Sequence, residues 1–357
     1  MLTRRSVLAG SAAFAAQISR AAETVRLPRP MRVAILGFDG HTAEITAQLH
    51  QLPDVTVASI CDQDLQALAK AAKNPRLAAA KQYADYRQML EQEKLDIVAV
   101  CNNDGERAEA ILACAARKLD VIAEKPFALT VADLTSIQRA VEQKRIHLGM
   151  LLPMRFDPQF LAMKQIVADG LIGEVAQIGS QKSYKAGERA AWYKKRATYG
   201  GTIAWIGIHM IDLMRHISGR EFKETFGYQA HIGFPNLGEM ENVTASLFRL
   251  DNGGVAALRM DYLRTETSPT HEDDRLRLAG TKGVLEYQAA TGVTLMTTEQ
   301  KAHKIESLPP QQSVFLDFLN SSYNGKPAAL TLADCYRVTE ITIAAQIAAD
   351  KGQTVQI

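Results

Sequence analysis

The chain is predicted to fold as two α/β units: a doubly wound parallel sheet over residues 30–150, then an α+β domain with an antiparallel sheet over 151–357. Three observations predict this. Up to about residue 150, short unbroken apolar runs alternate with helical stretches, the pattern of strands buried on both faces in βαβ units. Beyond about 155, strand-like segments succeed one another with short turns between them. The 357 residues, 47% hydrophobic and 22% charged, suffice for two domains with cores of their own and exclude a disordered or collagen-like chain.

The elements follow in order. Val33–Leu36 is an apolar run that stops at Gly37, and Ile45, Leu49 and Leu52 continue at helical spacing. Val55–Ile60 is the next run, followed by a helical stretch from Leu65. Ile97–Cys101 precedes a helix carrying Ile111, Leu112 and Ala115. After Val121–Ala123, Thr130 and Asp133 form a capping box ahead of Leu134, Ile137 and Val141. His147–Leu152 closes the series. In the second part a helix near Pro158–Gly170 leads into strands at 175–182, 224–233, 244–251, 254–262, 276–279 and 283–288. Asp251-Asn252-Gly253-Gly254 is a hairpin turn.

The N-terminus reads as an address. Arg4 and Arg5 precede an apolar stretch, Val7–Ala16, and a small-x-small site at Ser19-Arg20-Ala21. Ten apolar residues are too few to span roughly 30 Å of hydrocarbon. Thr3-Arg4-Arg5-Ser6-Val7-Leu8 is similar to a twin-arginine signal, so residues 1–21 are expected to direct export of a folded protein, to the periplasm or beyond. Without them the chain carries 38 basic and 39 acidic side chains, and no basic field remains for nucleic acid or an anionic membrane. Cys61, Cys101, Cys114 and Cys335 fall in apolar strand-like or helical runs with no C-x-x-C spacing; buried free thiols are expected.

A strand running through a tight turn into a helix is where a pyrophosphate binds. Here the turn is Gly37-Phe38-Asp39-Gly40-His41-Thr42. The dinucleotide fingerprint asks for glycine at its first, third and sixth places; only Gly37 conforms, and Gly40 is displaced by one. Asp39 would repel a pyrophosphate unless it points away. Asp62 ends the second run 25 residues after Gly37, where a carboxylate accepts from adenosine ribose hydroxyls or, alternatively, caps the next helix. No arginine follows to hold a 2′-phosphate, which favours NAD over NADP.

Ala123-Glu124-Lys125-Pro126-Phe127, directly after an apolar strand, resembles the signature of the Gfo/Idh/MocA oxidoreductases, which include inositol and glucose–fructose oxidoreductases. Further pieces stand in that family's order: Val33–Gly40, Ile60-Cys61-Asp62, Tyr86–Leu90, Arg155 with Pro158, Gly170–Val175, Gly200-Gly201-Thr202, Gly207–Leu213 and Gly280–Gly283. The resemblance spans the whole mature chain. It implies a Rossmann domain, a second domain with an open-faced, mainly antiparallel sheet, an active site between them and a cis bond at Pro126. By the same resemblance Lys125 orients the reacting hydroxyl and contacts the cofactor ribose, and His209 takes the hydroxyl proton as hydride leaves. Gly37, Phe38, Asp39, Gly40, Asp62, Asn102, Asn103, Glu124, Lys125 and Pro126 are the candidates for holding the cofactor. Arg155, Trp192, Trp205 and Asp212 are candidates for a sugar-like substrate, with Tyr193 an alternative acid/base. Asp212 could equally be a buried aspartate satisfying backbone groups, and Trp192 and Tyr193 surface aromatics. His271–Arg275 has metal-like composition, but its adjacent ligands cannot all converge; it reads as a charged turn, and no metal is expected.

The chain departs from the family in three places. Where relatives usually carry an aspartate four residues before the histidine, it has Trp205, which can stack on a sugar but cannot act as a base. Asn102–Arg107 replaces the family's Pro-Asn and histidine. The glycine fingerprint is degraded. An exported enzyme cannot draw on free NAD, so its cofactor is expected to stay bound. Two cycles close on a held cofactor: coupled oxidation and reduction of two substrates, or a redox-neutral glycosidase cycle through transient oxidation at a sugar C3. A homologue that binds sugar or nucleotide without catalysis is the third reading. By analogy, the open sheet is expected to be covered in a homo-oligomer.

Overall fold

The computed structural model describes residues 24–357, so the expected leader lies outside the described residues. The first domain runs β1 (Met31–Leu36), α1 (Thr42–Thr46), β2 (Val55–Cys61), α2 (Leu65–Ala71), β3 (Lys81–Tyr83), α3 (Tyr86–Gln92), β4 (Ile97–Val100), α4 (Asp104–Ala116), β5 (Asp120–Ala123), α5 (Val131–Lys144) and β6 (Leu148–Met150). The strands pair in parallel in the order β3-β2-β1-β4-β5-β6. The order reverses between β1 and β4, which opens a crevice at the carboxyl ends of the strands. The residues of β4 are completely buried, as continuous apolar runs require. The capping box forms as expected: Asp133 N–H donates to Thr130 Oγ1 at 3.1 Å, and Thr130 Oγ1 donates to Asp133 Oδ2 at 2.7 Å. The sequence did not announce β3, a three-residue edge strand in which only Tyr83 is buried.

The second domain runs α6 (Pro158–Ala168), β7 (Val175–Lys185), α7 (Arg196–Tyr199), a π-helical turn (Ile203–Gly207), α8 (Ile208–Ser218), β8 (Phe222–Ala230), β9 (Val243–Leu250), β10 (Val255–Arg264), β11 (Arg275–Gly280), β12 (Gly283–Gln288), β13 (Gly292–Thr297), β14 (His303–Lys304), α9 (Val314–Tyr323), α10 (Leu332–Lys351) and β15 (Val355–Gln356). Its nine strands are ordered β14-β13-β12-β11-β7-β10-β9-β8-β15. Every pair is antiparallel except β7 with β10. β9 and β10 alternate buried and exposed residues, so one face packs on helices and the other stays open. Gly253, at φ +85°, makes the hairpin turn between them. α8 lies across the covered face, with Ser180 Oγ 3.1 Å from Met214 Sδ. α10 joins the halves, touching α5 and β6 of the first domain and α8 and β8 of the second. All four cysteines are buried and free. Among the described residues no helix is long and apolar enough to cross a membrane.

Candidate active site

The turn after β1 sits over the crevice. Gly37 adopts φ +81°, and its N–H donates to the Cys61 carbonyl at 2.7 Å. A Cβ on Gly37 would lie 2.5 Å from the Asn102 nitrogen, so only glycine brings the turn this close to β4. Phe38 N–H donates to Asp62 Oδ2 at 3.1 Å and Asp64 N–H to Asp62 Oδ1 at 2.8 Å. The cap of α2 is Asp64, not Asp62, so the capping alternative for Asp62 falls away. Asp62 lines a cavity of about 190 Å³ with Leu36, Gly37, Asp39, Asn102 and Trp192. Asn102 is buried there with its Oδ1 unpartnered. Asn103 lines the same cavity, and its Oδ1 accepts from Glu106 N–H at 3.2 Å as the cap of α4.

The inner end of the crevice is built on the tip of β5. The Lys125–Pro126 bond is cis. Arg107, fully buried, donates to the carbonyls of Lys125 and Pro126 at 2.9 Å each, to Asn102 O at 2.5 Å and to Asp104 Oδ1 at 2.7 Å. This guanidinium fixes the turn that presents Lys125. The lysine is 1% exposed; its Nζ donates to the Trp205 carbonyl at 2.6 Å and lies 3.4 Å from the centroid of the indole ring. Burial pulls its ammonium down to about 8, against the opposing pull of Glu124 and Asp104. Glu124 accepts from the His41 backbone N–H and from its ring Nδ1 at 3.0 Å. Burial alone would raise this carboxyl; the His41 ring, then Lys125 and Arg107, hold it at about 2. His209, on the first turn of α8, is 5% exposed and meets His41 edge-on at 5.1 Å between ring centroids. Its Nδ1 is sealed from solvent without a partner. Burial, then Lys125 and His41, push its pKa well below 6.5, so the ring is a neutral base at physiological pH.

Aromatic rings from the second domain wall this end. Trp192 stacks on Tyr193 at 3.8 Å and meets Trp205 edge-on at 5.0 Å, while Tyr199 Oη lies 3.1 Å from Tyr262 Oη. Burial drives the Tyr193 hydroxyl far above its usual range, which removes it as an acid/base near neutrality and leaves it as support for Trp192. Asp39 does point away from its turn, its Oδ1 accepting from Trp192 Nε1 at 2.7 Å. Arg155 and Asp212 face each other rather than the crevice. Both are 2% exposed, and Arg155 Nε and Nη2 donate to the two Asp212 oxygens at 2.7 and 2.6 Å. Arg155 Nη1 also reaches Asp334 at 3.1 Å. The substrate expectation for this pair is therefore replaced by a structural one: the mutual fork leaves Asp212 no free oxygen edge for a hydroxyl.

Three features were not assigned from sequence. His41 clamps Glu124 and touches His209; Arg107 ties the Lys125–Pro126 turn; and Lys182, itself buried, pairs with buried Asp274 at 2.5 Å beneath α8. Arg107 had a signal in the asparagine-rich segment after β4, but its target is set only by folding. His271–Arg275 forms the turn into β11, with Asp273 held by Arg275 and Asp274 by Lys182.

A Rossmann crevice closed by a second domain, with a buried lysine and a neutral histidine at its inner end, defines a dinucleotide-dependent oxidoreductase. Residues 31–150 match the oxidoreductase family described as having an NAD-binding Rossmann fold, and residues 160–286 match the GFO/IDH/MocA C-terminal domain. The chain belongs to the Gfo/Idh/MocA family of oxidoreductases, and its first domain is the family's NAD-binding domain. It is 24% identical over 277 residues to myo-inositol 2-dehydrogenase of Thermotoga maritima, covering 77% of this chain and 80% of that one. A solved structure from Thermotoga maritima, assigned as an oxidoreductase without a named substrate, shares 32% identity at TM-score 0.86, over 92% of this chain and all of the other. An aldose-aldose oxidoreductase from Caulobacter crescentus, complexed with glycerol, shares the fold at TM-score 0.78 and 21% identity, over 92% of this chain and 100% of that one. NAD fits the residues present: Asp62 and the unpartnered Asn102 Oδ1 border the outer cavity, and Lys125 and His209, whose Nδ1 is unpartnered, stand at the inner end.

Proposed function

We propose that the protein transfers hydride from a secondary alcohol of a sugar or polyol to NAD held in the crevice. One observation carries the reading. Lys125, presented at the tip of β5, is buried with its ammonium against Trp205 and within the electrostatic reach of neutral His209. When bound, NAD supplies the hydride acceptor. Asp62 would accept from the adenosine ribose hydroxyls, and Gly37 would let the backbone approach the cofactor. Lys125 donates to the reacting hydroxyl oxygen and orients it. His209 receives the hydroxyl proton as the carbon–hydrogen bond breaks, so proton and hydride leave the same carbinol in opposite directions. Trp205 and Trp192 close the site to water. The names of the relatives, an inositol dehydrogenase among them, support a polyhydroxylated substrate.

The test has two stages. Purified protein is denatured and the released nucleotide identified by mass; then polyols and aldoses are screened for a change in nicotinamide absorbance, with Lys125→Met and His209→Gln as controls. Release of an aglycone from glycosides without net NADH would redirect the reading to the redox-neutral glycosidase cycle. The reading includes twin-arginine export and a tightly held cofactor; fractionation of cells expressing the full chain checks the first. It also includes a homo-oligomer built on the open face of the second sheet, where Tyr228, Leu247 and Val255 lie uncovered beside a shallow depression of about 450 Å³. Light scattering checks that, and a monomer at micromolar concentration removes it.

A further inference from the structure

Asp39 stands where the dinucleotide fingerprint asks for a glycine that lets the backbone approach a pyrophosphate. Its main chain keeps the turn, with N–H donating to the Cys101 carbonyl at 2.9 Å. Its side chain leaves the turn, and Oδ1 accepts from Trp192 Nε1 at 2.7 Å, across 153 residues and from one domain to the other. We infer that Trp192, tied to Asp39, is a strap from the second domain that completes the nucleotide site and governs how fast the nucleotide leaves. The inference rests on the NAD reading above and reassigns Trp192 from the substrate to the cofactor.

Three observations support it. First, the groove that contains Asp62 is lined almost wholly by the first domain; Ala190 and Trp192 are the contributions of the second, so they form its remaining wall. Second, the strap is braced. Trp192 stacks on Tyr193 at 3.8 Å, and its carbonyl accepts from Thr198 Oγ1 at 2.6 Å. Arg189, just ahead, donates to the carbonyls of Ala186 and Lys185 at 2.7 and 2.8 Å. These contacts fix the indole rather than leaving it a loose surface ring. Gly187, at φ +55° with nothing within 4 Å of where a Cβ would stand, gives the segment a pivot at its start. Third, the chemistry accounts for the aspartate. The groove also holds Asp62, Asp64 and Glu106, with no lysine or arginine among its lining residues. A free carboxylate at position 39 would add to a field already unfavourable to a pyrophosphate. An indole N–H is a donor only and a carboxylate an acceptor only, so their bond engages Asp39 Oδ1 and holds the carboxylate at the groove's wall, against the second domain.

If Asp39 were merely a spoiled glycine, restoring the glycine would improve nucleotide binding. The strap requires the reverse. Protein loaded with labelled NAD is chased with unlabelled NAD, and the dissociation rate is measured for wild type, Asp39→Gly, Asp39→Asn and Trp192→Phe. Loss of a hydrogen bond to a charged group should speed release at least about tenfold in Asp39→Gly and Trp192→Phe. Asp39→Asn keeps an acceptor for the indole and should release within about threefold of wild type. In nucleotide-free protein, amide exchange over residues 185–199 should quicken in the first two variants and not in the third, with the rest of the chain unchanged. An Asp39→Gly protein that releases NAD as slowly as wild type, or more slowly, overturns the strap and leaves the NAD reading standing. A wild-type protein that takes up no NAD overturns both.

Discussion

Two buried charged clusters flank α8, and they are built on opposite principles. On one side Arg155 is held by both oxygens of Asp212 and by Asp334, which Arg215 grips in turn at 2.6 Å. There each charge faces an opposite one. Burial works against Arg155 staying charged, yet Asp212 and Asp334 raise its pKa; burial would raise the Asp334 carboxyl, yet Arg155 and Arg215 hold it well below the usual range. On the other side Lys125 has a carbonyl and an indole face in place of a carboxylate partner, and His209 keeps an unpartnered nitrogen. A paired network of this kind serves the fold. Buried groups left short of partners cost stability and persist where they meet something that arrives later. The difference separates architecture from chemistry more sharply than residue type does, since both clusters are made of ordinary charged side chains.

The largest expected effect tests the poorly paired side. Lys125→Met should lower turnover by about 10²- to 10⁴-fold, the range for removal of a positioned proton-handling group. It should not lower the melting temperature. The Lys125 pKa is depressed in the fold, so its ammonium disfavours the folded state at every pH below about 8, and methionine removes that penalty. Calorimetry at pH 6 alongside kinetics checks both halves. A large loss of stability would return Lys125 to the structural class.

The fully paired side should behave in the opposite way. Asp212→Ala leaves Arg155 buried without its bidentate partner, and a loss of about 3–5 kcal/mol is expected in denaturant unfolding. Activity per folded molecule should survive. A variant that folds normally but has lost its substrate would restore Asp212 to the binding role that its place one turn after His209 suggested.

The pH profile of kcat/KM reads the reactive cluster directly. His209 sits well below 6.5, so the acid limb should fall below that value. Lys125 loses its proton at about 8, so activity should decline through that pH as the donor to the substrate hydroxyl disappears. His209→Gln should abolish the acid limb and keep the alkaline one.

How much of this was legible in the sequence follows from the range of the interactions. The other five strands of the first sheet announced themselves because parallel strands buried on both faces leave unbroken apolar runs. β3, with a single buried residue, leaves no such trace. The Thr130 cap and the hairpin glycine at 253 are local and were readable. Lys125 and His209 were found through short motifs. Their surroundings were not readable, because His41 reaches Glu124 across 83 residues and Arg155 reaches Asp212 across 57. Asp39 looked awkward in sequence and is explained only by Trp192, which no local pattern could have paired with it. The helices and strands after residue 290 are irregularly spaced, and their packing against both domains could not be read from periodicity.

The smallest expected effect concerns Trp205, the place where the family resemblance leads one to expect an aspartate. Its ring lies 3.4 Å from the Lys125 ammonium, and such contacts favour the charged form by roughly 0.5–2 kcal/mol. Phenylalanine offers a weaker face, while the backbone carbonyl that accepts from Nζ stays in place. In Trp205→Phe the Lys125 pKa should therefore fall by a few tenths of a unit, and the alkaline limb of the pH profile should move to lower pH by the same amount. If the indole served chiefly as a platform for a sugar face, KM would rise with the limb unmoved. If it served the lysine, the limb would shift with KM little changed. The indole then favours the ammonium by a quadrupole instead of a charge, which leaves Lys125 closer to losing its proton than a neighbouring carboxylate would.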